Sequence, residues 1–376
     1  MRVLMLNYEF PPIGGGAANA NLCLLQEYAR RSDIQVDMLT SAPEPGFHKE
    51  QFSENITVTR IGIRKPHLHH WKRSEVISWL LRAGFYYRRM LRESRYDLAH
   101  AFFGFPTGWL CYRQVERLPY IISLRGSDVP GDNTRLKLDY KILAPVFRAI
   151  WSKAALLVAC SDGLRSRALR FMPDAGIDVI PNGVDLNRFR PSQDKSHAGP
   201  LRLLTVGRLS VTKRVDMLID AVAMLHKSGL DVRLTVVGGG RLEPQLRHMA
   251  STKAPARIVK IVGRVHSEKM PKIYQDNNIF VSASMQEGMS NAMLEAMASG
   301  LPIITSACEG TEELVRDNGV RVEEATAKSI AGAIRKLWND RDAFRQMAAK
   351  ARQQAAEFGW DKVAESYVEA YRKVLN

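Results

Sequence analysis

The apolar run Ile279-Phe280-Val281-Ser282-Ala283-Ser284 leads through a glycine-bearing turn into a short stretch of strong helix formers. A brief run without alternation is what a strand buried on both faces gives, and such strands belong to parallel sheets covered by helices. Gly288 supplies a backbone free of Cβ, Ser290 and Asn291 are N-cap types, and Ala292 to Ala298 favour helix. Gly300 then stops the helix, and Pro302 cannot continue it. The spacing therefore predicts strand, turn and helix in sequence.

That order has a chemical consequence. A helix N-terminus carries unpaired N–H groups and a partial positive charge, which suits a phosphate. Glu287 stands just before the predicted helix and Glu295 about one and a half turns inside it. Carboxylates accept hydrogen bonds from hydroxyls, so a diphosphate flanked by two hydroxyl-rich groups, the layout of a nucleotide-sugar, fits this pattern. Two glutamates at this spacing also arise on ordinary amphipathic helices, where they are merely solvated. The wider segment, Glu-Gly-x-Ser-Asn followed by Glu-Ala-Met-Ala-Ser-Gly-Leu-Pro-Ile-Ile, resembles the Glu-seven-residues-Glu motif of retaining GT-B glycosyltransferases, above all glycosyltransferase family 4.

The chain of 376 residues is long enough for two domains, and its net charge of +15 points to an anionic partner: nucleic acid, a phosphorylated metabolite or an anionic membrane surface. Cys23, Cys111, Cys160 and Cys308 form no Cys-x-x-Cys pair, so neither a zinc site nor a disulfide framework is expected. No stretch reaches the roughly 18 apolar residues of a spanning helix, and the N-terminus lacks signal-peptide character. The expectation is a cytoplasmic protein, soluble or peripheral at the inner membrane face.

In the first half, strand-like runs at Arg2–Asn7, Val36–Leu39, Val58–Ile61, Leu98–Phe102, Tyr120–Leu124, Ala155–Cys160 and Asp178–Ile180 alternate mostly with helical patterns, which predicts a parallel sheet with helices on both faces. Gly14, Gly15 and Gly16 lie between the first strand and a helix, where backbone can approach a ligand; a bare triple glycine also makes a flexible loop. This is neither G-x-G-x-x-G nor a P-loop, so dinucleotide and ATP binding are not supported and an oxidoreductase lacks its fingerprint. The segment Arg64–Arg95 is the most basic and aromatic part of the chain. It reads as a solvated basic helix packing Trp79 and Tyr86, as a helix on anionic lipid headgroups, or as a nucleic-acid patch without a recognition motif. His67, His69 and His70 have no accompanying ligand pattern and are not read as a metal site; His100 is read as a structural histidine at a strand terminus.

Ser123-Leu124-Arg125-Gly126-Ser127-Asp128 falls at a strand end, where α/β folds place ligands. Family 4 enzymes carry His-Gly-x-Asp there, with the His on the donor sugar. Arg125 replaces that His and cannot shuttle a proton, although it can hold a phosphate or sugar oxygen. Asp128 matches the family Asp, and the resemblance implies that it orients the loop or the acceptor; either residue could instead belong to a surface ion pair. Ile180-Pro181-Asn182-Gly183-Val184-Asp185 matches the family's Pro-Asn-Gly-x-Asp turn, and the polar tract 192–200 is the expected interdomain linker.

In the second half, Arg208 and Lys213 share one loop between a strand and a helix, a suitable clamp for a diphosphate. They match the family's Gly-Arg-x-x-x-x-Lys pattern, in which both neutralise the leaving nucleotide. A strand over Asp231–Val237 ends in Gly238-Gly239-Gly240. The resemblance implies contacts from Arg264 and Val265 to the base, and from Gly15 and Gly16 to the diphosphate and acceptor. It makes Glu309–Val315 a structural turn and helix. A helix is expected from Thr326 to Ala356, and a last one from Asp361 to Leu375.

The expected architecture is α/β of GT-B type: two doubly wound Rossmann-like domains facing a cleft. The acceptor-binding domain would span 1–195, completed by a C-terminal helix crossing back over 360–376; the nucleotide-sugar domain would span 196–359. The resemblance implies a retaining, metal-independent transferase without cofactor, moving sugar from a UDP- or GDP-sugar to a glycan or lipid-linked acceptor in surface polysaccharide biosynthesis. Glu287 would hold donor-sugar hydroxyls and Glu295 the ribose. Arg208, Lys213 and the backbone of Gly288, Met289, Ser290, Asn291 and Ala292 would receive the diphosphate. No nucleic-acid partner is expected. The alternative is a catalytically silent protein of the same fold that binds a nucleotide or polysaccharide, which Arg125 favours.

Overall fold

The computed structural model describes residues 1–68, 71–131, 137–192, 199–255 and 257–376. Its contacts separate two units, Met1–Asn182 with Trp360–Asn376, and Gly183–Gly359. The first division falls at Asn182, upstream of the expected 195/196. Residues after it pack within the second unit: Phe189 lies edge-on to Tyr274 with ring centroids 5.6 Å apart, and Arg352 donates to the Phe189 carbonyl. Of the tract read as a linker, 193–198 lie outside the described residues, as do His69 and His70.

The first unit contains β1 (Arg2–Leu6), α1 (Gly16–Tyr28), β2 (Gln35–Ala42), β3 (Phe47–Ser53), β4 (Ile56–Gly62), α2 (Arg73–Glu93), β5 (Leu98–Phe102), α3 (Thr107–Tyr112), β6 (Tyr120–Leu124), α4 (Lys137–Ser152), β7 (Leu156–Ala159), α5 (Asp162–Phe171) and β8 (Ile177–Val179). They form one eight-stranded sheet, β3-β4-β2-β1-β5-β6-β7-β8. Every pair is parallel except β3 with β4. That antiparallel edge departs from the expected all-parallel sheet. Phe47-His48-Lys49-Glu50-Gln51 is exposed and mostly polar, so no apolar run announces it; backbone pairing to β4 alone makes it a strand.

The second unit contains β9 (Leu201–Val206), α6 (Val215–Lys227), β10 (Val232–Val237), α7 (Glu243–Lys253), β11 (Val259–Gly263), α8 (Met270–Gln275), β12 (Ile279–Ser282), α9 (Asn291–Ala298), β13 (Ile303–Ser306), β14 (Gly319–Val322), α10 (Ala327–Asn339) and α11 (Arg341–Ala355). Its six strands run β11-β10-β9-β12-β13-β14, all parallel. The strand order reverses between β9 and β12, the switch point where doubly wound sheets leave a crevice.

Two expectations for this unit are corrected. The single helix 326–356 is two, because the Asp340 side chain accepts from the Ala343 amide and caps α11 anew. No helix forms over Glu309–Val315; the Thr311 hydroxyl bonds back to the Cys308 carbonyl and holds the segment as turns.

The last helix, α12 (Trp360–Leu375), belongs to the first unit. Trp360, Val363, Ala364, Tyr367, Val368 and Tyr371 recur at helical spacing and share a core with Leu24, Leu25 and Tyr28 of α1. His100 anchors it: both ring nitrogens are engaged, Nδ1 2.7 Å from the Tyr371 hydroxyl and Nε2 2.7 Å from Ser123 Oγ. Burial, with the Arg125 charge nearby, pushes this imidazole down to about 3, so it is a neutral structural residue.

Candidate functional site

In the second unit a recess opens at the ends of β9 and β12, bounded by Gly207, Arg208, Lys213, Ser284, Glu287 and Ser290. Sequence places these residues on two separate loops, one after β9 and one after β12; the parallel sheet brings their strand ends side by side. Two glycines make the close approach possible. Gly238 has φ +133°, and a Cβ there would sit 1.9 Å from the Gly207 carbonyl; one on Gly240 would sit 2.2 Å from that of Leu209. The Gly238-Gly239-Gly240 turn is therefore a packing requirement of the recess wall, a role that the glycine run alone did not disclose.

Lys213 Nζ donates to Glu287 Oε1, and the pair is largely enclosed, with side-chain exposures of 25% and 11%. The same Glu287 oxygen accepts from Ser284 Oγ at 2.8 Å, and Ser284 in turn lies 3.1 Å from Ser282 Oγ. Ser306 ties down the Ser284 carbonyl at 2.7 Å. Glu287 is thus held by a cation on one side and a chain of hydroxyls on the other. None of the three serines figured as a candidate, because serines at strand ends are too common to stand out in a sequence.

The α9 N-terminus begins at the recess wall. Ser290 is its cap, accepting from the Met293 amide at 3.4 Å, so its hydroxyl is engaged by the helix. Gly288, Met289, Asn291 and Ala292 continue from Glu287 into the first turn. Gly310, at φ +76°, braces this loop: a Cβ there would lie 2.4 Å from the Gly288 carbonyl.

Glu295 is separate from the Lys213–Glu287 pair. It accepts from the Tyr274 hydroxyl at 2.7 Å. Desolvation pushes its carboxyl up to about 7, against the Tyr274 hydrogen bond and the Arg188 charge, which pull it down. Arg264 lies over the glycine turn instead, its side chain about as close as 3.0 Å to where a Gly239 Cβ would stand; neither it nor Val265 lines the recess.

In the first unit, Asp128 is buried and accepts from the backbone amides of Gly104 at 2.7 Å and Arg125 at 2.8 Å. Burial raises its carboxyl above the ordinary range, while those amides and the Arg125 charge oppose the rise. It fastens the β5 and β6 strand ends together. Arg125 donates to Asn182 Oδ1 at 2.6 Å, with its guanidinium 5.4 Å from the centre of the Phe102 ring. Gly15 is the cap residue before α1, and a Cβ on it would meet nothing within 4 Å. Gly16 is already the first residue of α1. The glycine that the fold demands here is Gly14, at φ +101° with a Cβ clash against Glu9 and Ala18.

A family model described as "Glycosyl transferases group 1" matches residues 200–340, and one described as "Glycosyltransferase Family 4" matches 14–188. The chain is 25% identical to a glycogen synthase of Mycobacterium tuberculosis, over 99% of this chain and 94% of that one. It is 30% identical to a GDP-mannose-dependent alpha-(1-6)-phosphatidylinositol monomannoside mannosyltransferase of the same organism, over 58% of this chain and 62% of the other. The sucrose-phosphate synthase structure from Thermosynechococcus elongatus superposes with a TM-score of 0.86 at 20% identity, covering 99% and 98% of the two chains. Matched across both units, and with a doubly wound sheet in each, this chain belongs to the group 1 glycosyltransferases, family 4, of GT-B fold.

Proposed function

We propose that this glycosyltransferase takes a sugar from a UDP- or GDP-sugar with retention of configuration and passes it to a glycan or lipid-linked acceptor in surface polysaccharide biosynthesis, at the inner face of the cell membrane. The observation that carries the donor half is the meeting of Arg208, Lys213 and the capped start of α9 around Glu287, at the switch point of the second sheet. Breaking a sugar–diphosphate bond builds negative charge on the leaving group, and preoriented cations and helix amides stabilise it. In this reading Arg208 and Lys213 receive the diphosphate, together with the backbone from Gly288 to Ala292. Glu287 receives donor-sugar hydroxyls, Glu295 the ribose, and Arg264 with Val265 the base.

Lys213 neutralises Glu287 in the free protein; a bound diphosphate would draw the ammonium away and leave the carboxylate to the sugar. The positive charge comes from side chains, so the reaction is read as metal-independent, with the acceptor attacking from the face the diphosphate leaves. Arg125, Asp128, Gly15 and Gly16 are assigned to the acceptor and donor contacts of the first unit. The mannosyltransferase relative, named as GDP-mannose-dependent and as acting on a phosphatidylinositol monomannoside, supports a nucleotide-sugar donor and a lipid-borne acceptor here.

Incubation with a panel of nucleotide-sugars should release free nucleotide slowly from one of them, unaffected by EDTA, and the Glu287→Gln variant should not. Loss of release on chelation, restored by Mg²⁺ or Mn²⁺, would overturn metal independence. The second reading, a silent nucleotide- or polysaccharide-binding protein, is favoured by Arg125 standing where the family has His. Tight nucleotide binding without release from any donor would decide for it.

A further inference from the structure

We propose that the outward face of α2, with the groove between α2 and α3, docks the protein on an anionic phospholipid bilayer and seats one lipid chain in that groove. A helix on a soluble domain buries one apolar stripe and turns a polar face to water. Here α2 has two apolar faces. Trp79, Ala83 and Tyr87 are buried in the first unit, whereas Ile77, Leu81 and Phe85 are 57%, 73% and 59% exposed. Their spacing of four puts them in one line along the helix. The line continues sideways: Phe85 meets Tyr86 edge-on, and Tyr86 stacks on Phe47 of the edge strand β3, with centroids 4.5 Å apart.

Charge accompanies this ridge. At about 100° per residue, Arg88 and Arg92 fall on the same face as Ile77 and Leu81. Both are exposed, and neither is ion-paired with a described residue. Beside the ridge lies a groove of about 600 Å³, counting its open mouth. Leu80, Leu81, Trp109 and Leu110 give it apolar walls, and Arg88, Arg113 and Gln114 border it. Arg113 rests over Trp109, 5.8 Å from the ring centre. An apolar slot bordered by two guanidiniums has the chemistry of a phosphate-headed chain.

Charge complementarity selects the bilayer from the other occupants. A second copy docked face to face would set Arg88 and Arg92 against their equals. A nucleic acid would satisfy the arginines and leave Ile77, Leu81 and Phe85 in water. An anionic interface takes both, with phosphates on the guanidiniums and the apolar line among the acyl chains. The proposal deepens the lipid-acceptor reading above, yet vesicle binding needs neither donor nor turnover, so each can fail without the other.

The test is co-sedimentation of the full chain with vesicles of phosphatidylcholine alone and of phosphatidylcholine mixed with phosphatidylglycerol. Binding is expected to the mixed vesicles only and to weaken with salt. Arg88→Gln, Arg92→Gln and Arg113→Gln should each lower the partition coefficient about fivefold. The triple variant Ile77→Ser, Leu81→Ser, Phe85→Ser should abolish binding while keeping the wild-type circular dichroism and nucleotide release. Equal binding to neutral vesicles, or wild-type binding by the triple variant, overturns the proposal. So does displacement by millimolar inorganic phosphate, which would assign the arginines to a free anion. Concentration-dependent dimerisation lost in the triple variant would give the face to a second copy, and salt-dependent DNA binding lost in the arginine variants would give it to nucleic acid.

Discussion

Replacing Glu295 by Gln should remove a pH-dependent burden on the fold. Enclosure moves this carboxyl from its ordinary 4.5 to about 7, the Tyr274 hydroxyl and Arg188 only partly offsetting the desolvation. Between these values the folded chain keeps the proton and the unfolded chain has released it. The folded state therefore binds more protons in this window, and stability falls as pH rises through it. Below 4.5 both states are protonated and the burden vanishes; above 7 both are ionised and it is constant. A displacement of that size corresponds to about 3 kcal/mol as a ceiling. Glu295 keeps some solvent contact, so about 1–3 kcal/mol is expected. Glutamine stays neutral and still accepts from Tyr274. Urea unfolding of wild type and Glu295→Gln from pH 4 to 8 isolates the effect, because other titrating groups are common to both. The variant should gain about 1–3 kcal/mol on the wild type between pH 4.5 and 7.5. Parallel curves, or a variant that loses ground as pH rises, would refute the reasoning. Added UDP, if its ribose meets the ionised carboxylate, should move the wild-type midpoint to lower pH and leave the variant unaffected.

Lys213→Met should cut nucleotide release about 10²- to 10³-fold, with Lys213→Arg restoring part of it in the same assay, and should lower the melting temperature because Glu287 loses its cation. Gly310→Ala should cost about 2–4 kcal/mol in denaturant unfolding, since the new Cβ meets the Gly288 carbonyl at 2.4 Å and the residue has φ +76°; turnover should fall with it through displacement of Glu287. His100→Phe leaves the Tyr371 and Ser123 hydroxyls without the ring and should cost about 2–4 kcal/mol. With its folded value near 3 and an ordinary value of 6.5, His100 also contributes stability that is full above pH 6.5 and lost as pH falls toward 3. The variant should lack that part of the acid slope in urea titrations.

Where the amino-acid order alone decides an outcome, the cause is local. The run Ile279–Ser284, Gly288, Ser290 and the Ala-rich stretch after it carry strand, turn, cap and helix within one short segment, and each is found where periodicity and cap chemistry put it. The apolar runs of the sheets are legible for the same reason: strands buried on both faces have no polar alternation. Arg208, Lys213, Glu287 and Ser290 could be singled out by type and motif, but their meeting in one recess follows from strand order, β9 beside β12, which no local signal encodes. The β3 edge escaped notice because backbone pairing, not side-chain burial, makes it a strand. The division at Asp340 was available in principle, since Asp is a strong cap. Only the tertiary structure decides that Lys213 is spent on Glu287, that Tyr274 meets Glu295, and that Gly238 and Gly310 must lack a Cβ. These are contacts between segments far apart in the chain, set by how helices and loops pack on a sheet and by what that packing withdraws from water.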